Sequence, residues 1–90
     1  MNTYMKIQNT ETQEYFHVSL NFSDHQLILV RSQGMKRPLT EILQLADISS
    51  LVFDEFLGSP IISFFYKNRR YTFYESGPAV TEYLKENLAA

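Results

Sequence analysis

A mainly β domain with one C-terminal α-helix is the fold class this sequence predicts, and three observations predict it. Residues 14–22 alternate strictly, with Phe16, Val18, Leu20 and Phe22 on one face and Tyr15, His17, Ser19 and Asn21 on the other. The stretch 41–75 breaks into short β-rich runs divided by turn residues. After Ser76-Gly77-Pro78 the apolar spacing changes from two to helical, through Val80, Tyr83, Leu84 and Leu88. Period two marks a half-buried strand, and the i, i+3, i+4 pattern marks one face of a helix.

Taken in order, residues 4–8 form a short extended piece in which Tyr4, Lys6 and Gln8 alternate against Met5 and Ile7. Strand 14–22 follows, then a polar turn at Ser23-Asp24-His25. Residues 26–32 hold Leu27, Ile28, Leu29 and Val30 consecutively, as expected of a strand covered on both faces. The two make a hairpin. A loop is expected over 33–38, turning at Gly34 and exposing Lys36 and Arg37.

The segment 38–46 is ambiguous. Leu39, Ile42, Leu43 and Ala46 have helical spacing, and Pro38 suits a first helical turn, so an α+β fold with a short helix is the alternative. The β-rich company downstream favours a strand over 41–45, a bend at Ala46-Asp47 and a strand over 48–55. Leu57-Gly58-Ser59-Pro60 breaks that strand, and 61–67 begins the next. Asn68-Arg69 reads as a tight turn, because Asn tolerates left-handed backbone, and 70–75 returns. Ser76-Gly77-Pro78 opens the helix, whose wet side carries Thr81, Glu82, Lys85 and Glu86. A helix of about three turns must dock on a sheet to persist.

Composition narrows the function classes. Ninety residues suit one domain, taken as 1–90. The 44% apolar content, with seven Phe and six Tyr, supplies a core that a disordered chain lacks. A net charge of −2 disfavours a dedicated nucleic-acid binder, though it leaves room for a local basic patch. There is no cysteine, so disulfides, thiolate nucleophiles and Cys-based zinc sites are excluded. The start, Met1-Asn2-Thr3-Tyr4-Met5-Lys6, lacks a signal-peptide pattern, and no apolar run approaches the about 20 residues of a membrane span. A cytoplasmic location is expected.

Seven strands and a terminal helix resemble the pleckstrin-homology-like barrel, in which two strongly bent sheets are capped by a C-terminal helix. The resemblance is sharpest at Glu41-Ile42-Leu43-Gln44-Leu45-Ala46-Asp47-Ile48-Ser49-Ser50-Leu51. That segment is similar to one common in small bacterial pleckstrin-like and GRAM-like domains. Tyr71-Thr72-Phe73-Tyr74, Ser76-Gly77-Pro78 and the helix match that family's ending. Many such members have no assigned activity, and the resemblance implies a non-catalytic protein-interaction or adaptor module. Phosphoinositide-binding relatives carry a basic cluster between their first two strands. The connection 21–25, read as its counterpart, has Asp24 and no Lys or Arg, so headgroup recognition is not implied.

Among candidate sites, Lys67, Arg69 and Arg70 lie on a hairpin tip flanked by Tyr66 and Tyr71, with Lys36 and Arg37 as possible neighbours. Cations beside aromatic rings suit a protein partner or an anionic ligand, membrane surface or nucleic acid. The plainer account is turn solvation and protection of a sheet edge. His17 and His25, even with Asp24 and Asp47, offer no metal-ligand spacing. Asp54 and Glu55 are strand neighbours pointing to opposite faces, so they do not pair as acid and base. Ser19, Ser49, Ser50 and Ser63 have no nucleophile-elbow context, and Gly34, Gly58 and Gly77 are isolated. No cofactor and no catalytic residue is therefore expected, although an accessory subunit of a metabolic enzyme remains an alternative. The aromatic set Phe53, Phe56, Phe64, Phe65, Tyr66, Tyr71, Phe73 and Tyr74 is large for one small core. It predicts either a bent two-sheet interior or an exposed strip for a partner or a homodimer.

Overall fold

The computed structural model describes residues 1–75 and 80–88. Seven antiparallel strands are followed by one helix: β1 (Asn2–Gln8), β2 (Gln13–Ser23), β3 (Gln26–Gln33), β4 (Lys36–Gln44), β5 (Ser49–Phe56), β6 (Ser59–Tyr66), β7 (Arg69–Tyr74) and α1 (Val80–Leu88). The spatial order is β4-β3-β2-β1-β7-β6-β5 in one sheet. No pairing joins β4 to β5, so the sheet is open, with these two as its edges.

Strand direction alternates across the sheet. The end of β4 and the start of β5 would therefore occupy diagonally opposite corners of a flat one. Six inter-strand gaps alone would separate them by about 29 Å. Only residues 45–48 connect them, a reach of about 18 Å at full extension. The sheet must curl until those corners meet, and the near-equal extents of 33, 32 and 28 Å record that curl. Leu45–Asp47 forms a single 3₁₀ turn at the corner. Across it, the Gln44 amide donates to the Tyr66 hydroxyl at 3.4 Å.

The core fills the concave side. Met5, Val18, Leu20, Leu27, Leu29, Leu43, Ile62, Phe64 and Phe73 are almost fully buried there, joined by Val80 and Leu84 of α1. Register brings Phe64 opposite Tyr71 and Ile62 opposite Phe73, and the Phe64 and Tyr71 rings stack at 5.4 Å. The helix docks through the expected stripe. Val80 and Leu84 are buried, while Tyr83 and Leu88 pack at its margin, and the Tyr83 hydroxyl accepts from the Phe22 amide at 3.2 Å. The expected start at Ser76-Gly77-Pro78 lies outside the described residues.

Several expectations need correction. The segment 38–46 is strand β4 and then the 3₁₀ turn, not an α-helix; its helical spacing is coincidental to edge pairing with β3. The loop expected over 33–38 shrinks to residues 34–35, with Gly34 in the left-handed region. Pro38 lies within β4, where the register with β3 shifts, and an edge strand tolerates its missing N–H. Likewise Ser59 and Pro60 do not break the sheet but begin β6, after a two-residue turn at Leu57-Gly58. The β6–β7 turn is Lys67-Asn68, one residue earlier than expected. At three turns (24–25, 57–58 and 67–68) both residues have positive φ, matching the twist of the strands they join. Segment 21–25 joins β2 to β3. The connection between the first two strands is 9–12, also without Lys or Arg.

β5 carries a bulge between Ser49 and Val52, where exposed Ser50 sits at φ +53°. A left-handed non-glycine residue costs about 1–2 kcal/mol, offset in part by the freedom glycine has in the unfolded chain. Ser50→Gly should raise stability by about 0.5–1 kcal/mol in urea denaturation. A lower midpoint would show that the Ser50 side chain makes a stabilising contact.

Candidate functional site

Curling the sheet places two kinds of surface where a partner could act. One is the mouth beside the β6–β7 turn; the other is the free edge of β5.

At the mouth, Glu41 projects from β4 towards β7. Its Oε2 accepts from the Tyr71 hydroxyl at 2.7 Å and pairs with Arg69 Nη2 at 3.0 Å. Tyr71 is fully buried, and Arg31, over the Phe16 ring at 4.5 Å, lies close enough to act on it. Burial first, and then the hydrogen bond to Glu41 and its negative charge, push the Tyr71 hydroxyl well above the ordinary phenol range; Arg69 and Arg31 pull the other way. The cluster therefore holds a neutral tyrosine as donor to a carboxylate. Its geometry serves to clamp edge strand β4 onto β7.

The residues that the sequence marks for binding are split by the structure. Tyr66 and Tyr71 are core residues, closed to stacking against a surface ligand. Arg69 turns inward to Glu41. Arg70 lies on the opposite face, where its Nη2 donates to Ser63 Oγ at 3.0 Å. Lys67 stands exposed at the tip, 5.4 Å from the Tyr66 ring, and Lys36 and Arg37 are exposed at the start of β4. His17 packs edge-on to Tyr4 at 5.2 Å on the outer face, and His25 occupies a turn. Among the described residues no group of three or more His, Asp or Glu could hold a metal ion. No helix there is long and apolar enough to cross a membrane.

The β5 edge is built differently. Pro60 directs its carbonyl to Glu75 of the β7 side, at 3.4 Å, so Glu55 opposite it forms no ladder bond with β6. By antiparallel alternation, the peptide groups of Phe53 and Glu55 both face away from the sheet. Among the described residues the Glu55 amide is met only by its neighbour, Asp54 Oδ1, at 2.8 Å. Along this open edge Val52, Phe53 and Phe56 are exposed, and Leu57 is 90% exposed in a left-handed turn position. Phe65, on the convex face of adjacent β6, is exposed as well, while its neighbour Phe64 is buried.

Phe53, Phe56 and Phe65 belong to the aromatic surplus visible in the sequence, whereas Val52 and Leu57 are marked there only as part of a strand and of its end. Leu57 beside Gly58 was the available signal, an apolar residue where a turn favours Asn or Asp. No family profile, curated protein or solved structure matches this chain.

Burial of Tyr71, reinforced by its bond to Glu41, makes stability fall at alkaline pH. Above pH about 10 the unfolded chain releases the Tyr71 proton while the folded chain keeps it. The unfolded state then binds fewer protons, so stability falls as pH rises. Tyr71→Phe should cost about 1–2 kcal/mol at pH 7, by leaving Glu41 one donor short. The difference from wild type should shrink above pH 10 in denaturation curves; a constant difference would remove Tyr71 as the source.

Proposed function

We propose that this chain is a pleckstrin-homology-like, non-catalytic protein-interaction module that takes up an extended partner segment along β5. The observation that carries this reading is the exposed apolar edge, where Val52, Phe53, Phe56 and Leu57 flank backbone groups without ladder partners. Strand addition uses such groups for affinity and the alternating side chains for selectivity. An apolar edge strand is otherwise an aggregation hazard, which chains ordinarily blunt. Leu57 adds to the case. A left-handed, exposed leucine is poor for stability and solubility alike, and such outliers concentrate where a contact repays them. The fold assignment rests on the strand order, the joined diagonal corners and the terminal helix over the core.

A second reading has its own observation. Arg31, Lys36, Arg37, Lys67, Arg69 and Arg70, six of the eight Lys and Arg, lie within three residues of turns 34–35 and 67–68. Such a concentration suits an anionic ligand, although Arg69 is already paired with Glu41.

Phe53→Pro separates the two. Its amide makes no ladder bond, so the substitution should cost the fold only about 1–2 kcal/mol while blocking an added strand. Asp54→Pro, at a ladder position opposite Ile61, should cost more, because it removes a ladder hydrogen bond. In pull-downs from lysate, a protein partner should survive high salt and the Arg37→Glu/Arg70→Glu double variant, which leaves the Glu41 clamp intact, and be lost with Phe53→Pro. Capture that fails in salt and in the arginine variant, yet survives Phe53→Pro, would replace strand addition with anion binding.

A further inference from the structure

The β5 edge has a charge as well as a shape. Where it approaches α1, a cleft of about 550 Å³ opens between β5, the end of β7 and the helix. Its described lining carries Asp54 and Glu55 from β5, Glu75 after β7 and Glu82 from α1. One cation, Lys85, shares the cleft, and its ammonium lies 5.6 Å from the Phe53 ring. Glu75 accepts from Thr81 Oγ1 at 3.1 Å. None of these four carboxylates has an ion-pair partner among the described residues. The cleft therefore carries a surplus of negative charge directly beside the backbone of Phe53 and Glu55, which makes no ladder bond with β6.

Resting on the strand-addition reading, we infer that the occupant of β5 is an extended segment alternating basic and apolar residues, with its cations turned to the helix side. Side-chain alternation assigns the sides. Phe53 and Glu55 share the face that carries Ile62 and the helix, whereas Val52, Asp54 and Phe56 share the convex face. An added strand presents its own residues alternately to the same two sides. On the helix side it meets Glu55, Glu75 and Glu82, which lysine or arginine would neutralise. On the convex side it meets Val52 and Phe56, which apolar residues would cover, with exposed Asp54 between them. Docking also exchanges one hydrogen bond for another. A carbonyl of the incoming strand replaces Asp54 Oδ1 as the acceptor of the Glu55 N–H.

The test uses three capped, fluorescently labelled nine-residue peptides that alternate valine with lysine, with serine or with glutamate. Binding to the intact chain is read by anisotropy at low salt. The lysine peptide should bind about tenfold tighter than the serine peptide, and the glutamate peptide should not bind. Glu55→Lys/Glu82→Lys, which alters two exposed side chains, should reverse that order in favour of the glutamate peptide. Methylating alternate amide nitrogens of the lysine peptide should abolish binding. Equal binding of the lysine and serine peptides would overturn the basic partner and leave strand addition standing. Undiminished binding of the methylated peptide would overturn insertion at the edge, since charge alone would then hold it. Failure of all three peptides would overturn both readings.

Discussion

The short link between β4 and β5 is the constraint on which the rest of this structure depends. Residues 45–48 join two strands that a flat sheet would hold at opposite corners. Bringing those corners together wraps one continuous sheet around its own side chains, and the concave face becomes a core. A seven-stranded sheet in a small chain would otherwise expose one whole face to water. The curl also explains why so many aromatics are accommodated: Phe64, Tyr66, Tyr71 and Phe73 pack against one another across the β6–β7 hairpin.

Closure is incomplete, and its two halves are held by different means. Near the corner, Glu41, Tyr71 and Arg69 make a polar clamp, with Gln44 and Tyr66 beside it. Glu41 is largely shielded, its side chain 17% exposed; its Oε2 relies on the Tyr71 hydroxyl and Arg69, whereas its Oε1 is buried without a hydrogen-bond partner among the described residues. Below the corner no ladder joins β4 to β5. The helix closes that side instead, through Val80 and Leu84 and through Tyr83 against Phe22. The outer edge of β5 escapes closure and exposes Val52, Phe53 and Phe56, and the β4 edge exposes Leu39 and Ile42.

Charge follows the same division. The turns after β3 and β6 gather the cations, while the end formed by turns 24–25 and 57–58 and the helix carries Asp24, Asp54, Glu55, Glu75, Glu82 and Glu86. A net charge of −2 conceals this separation, because opposite ends nearly cancel. Overall charge bounds the strength of the field; only placement shows where a partner would feel each sign.

The sequence by itself determined the element types. Alternation over 14–22 and the pair Tyr71 and Phe73 made strands, and Val80, Tyr83, Leu84 and Leu88 made a helical face, because side-chain periodicity is a local property. It also made Phe64 and Phe65 point to opposite faces. Periodicity was insufficient at 38–46, where a strand with one exposed face and a bulge happened to mimic helical spacing. Only the tertiary structure decided that the modest segment 2–8 is the central strand, because centrality depends on pairing with residues far along the chain. The same holds for the site. Neighbouring Arg69 and Arg70 look like one patch in the text, yet the pleat sends them to opposite faces, one into a clamp and the other onto the convex surface. That Val52, Phe53 and Phe56 lie on an edge was likewise beyond local reading, since an edge is defined by the strand that is missing beside it.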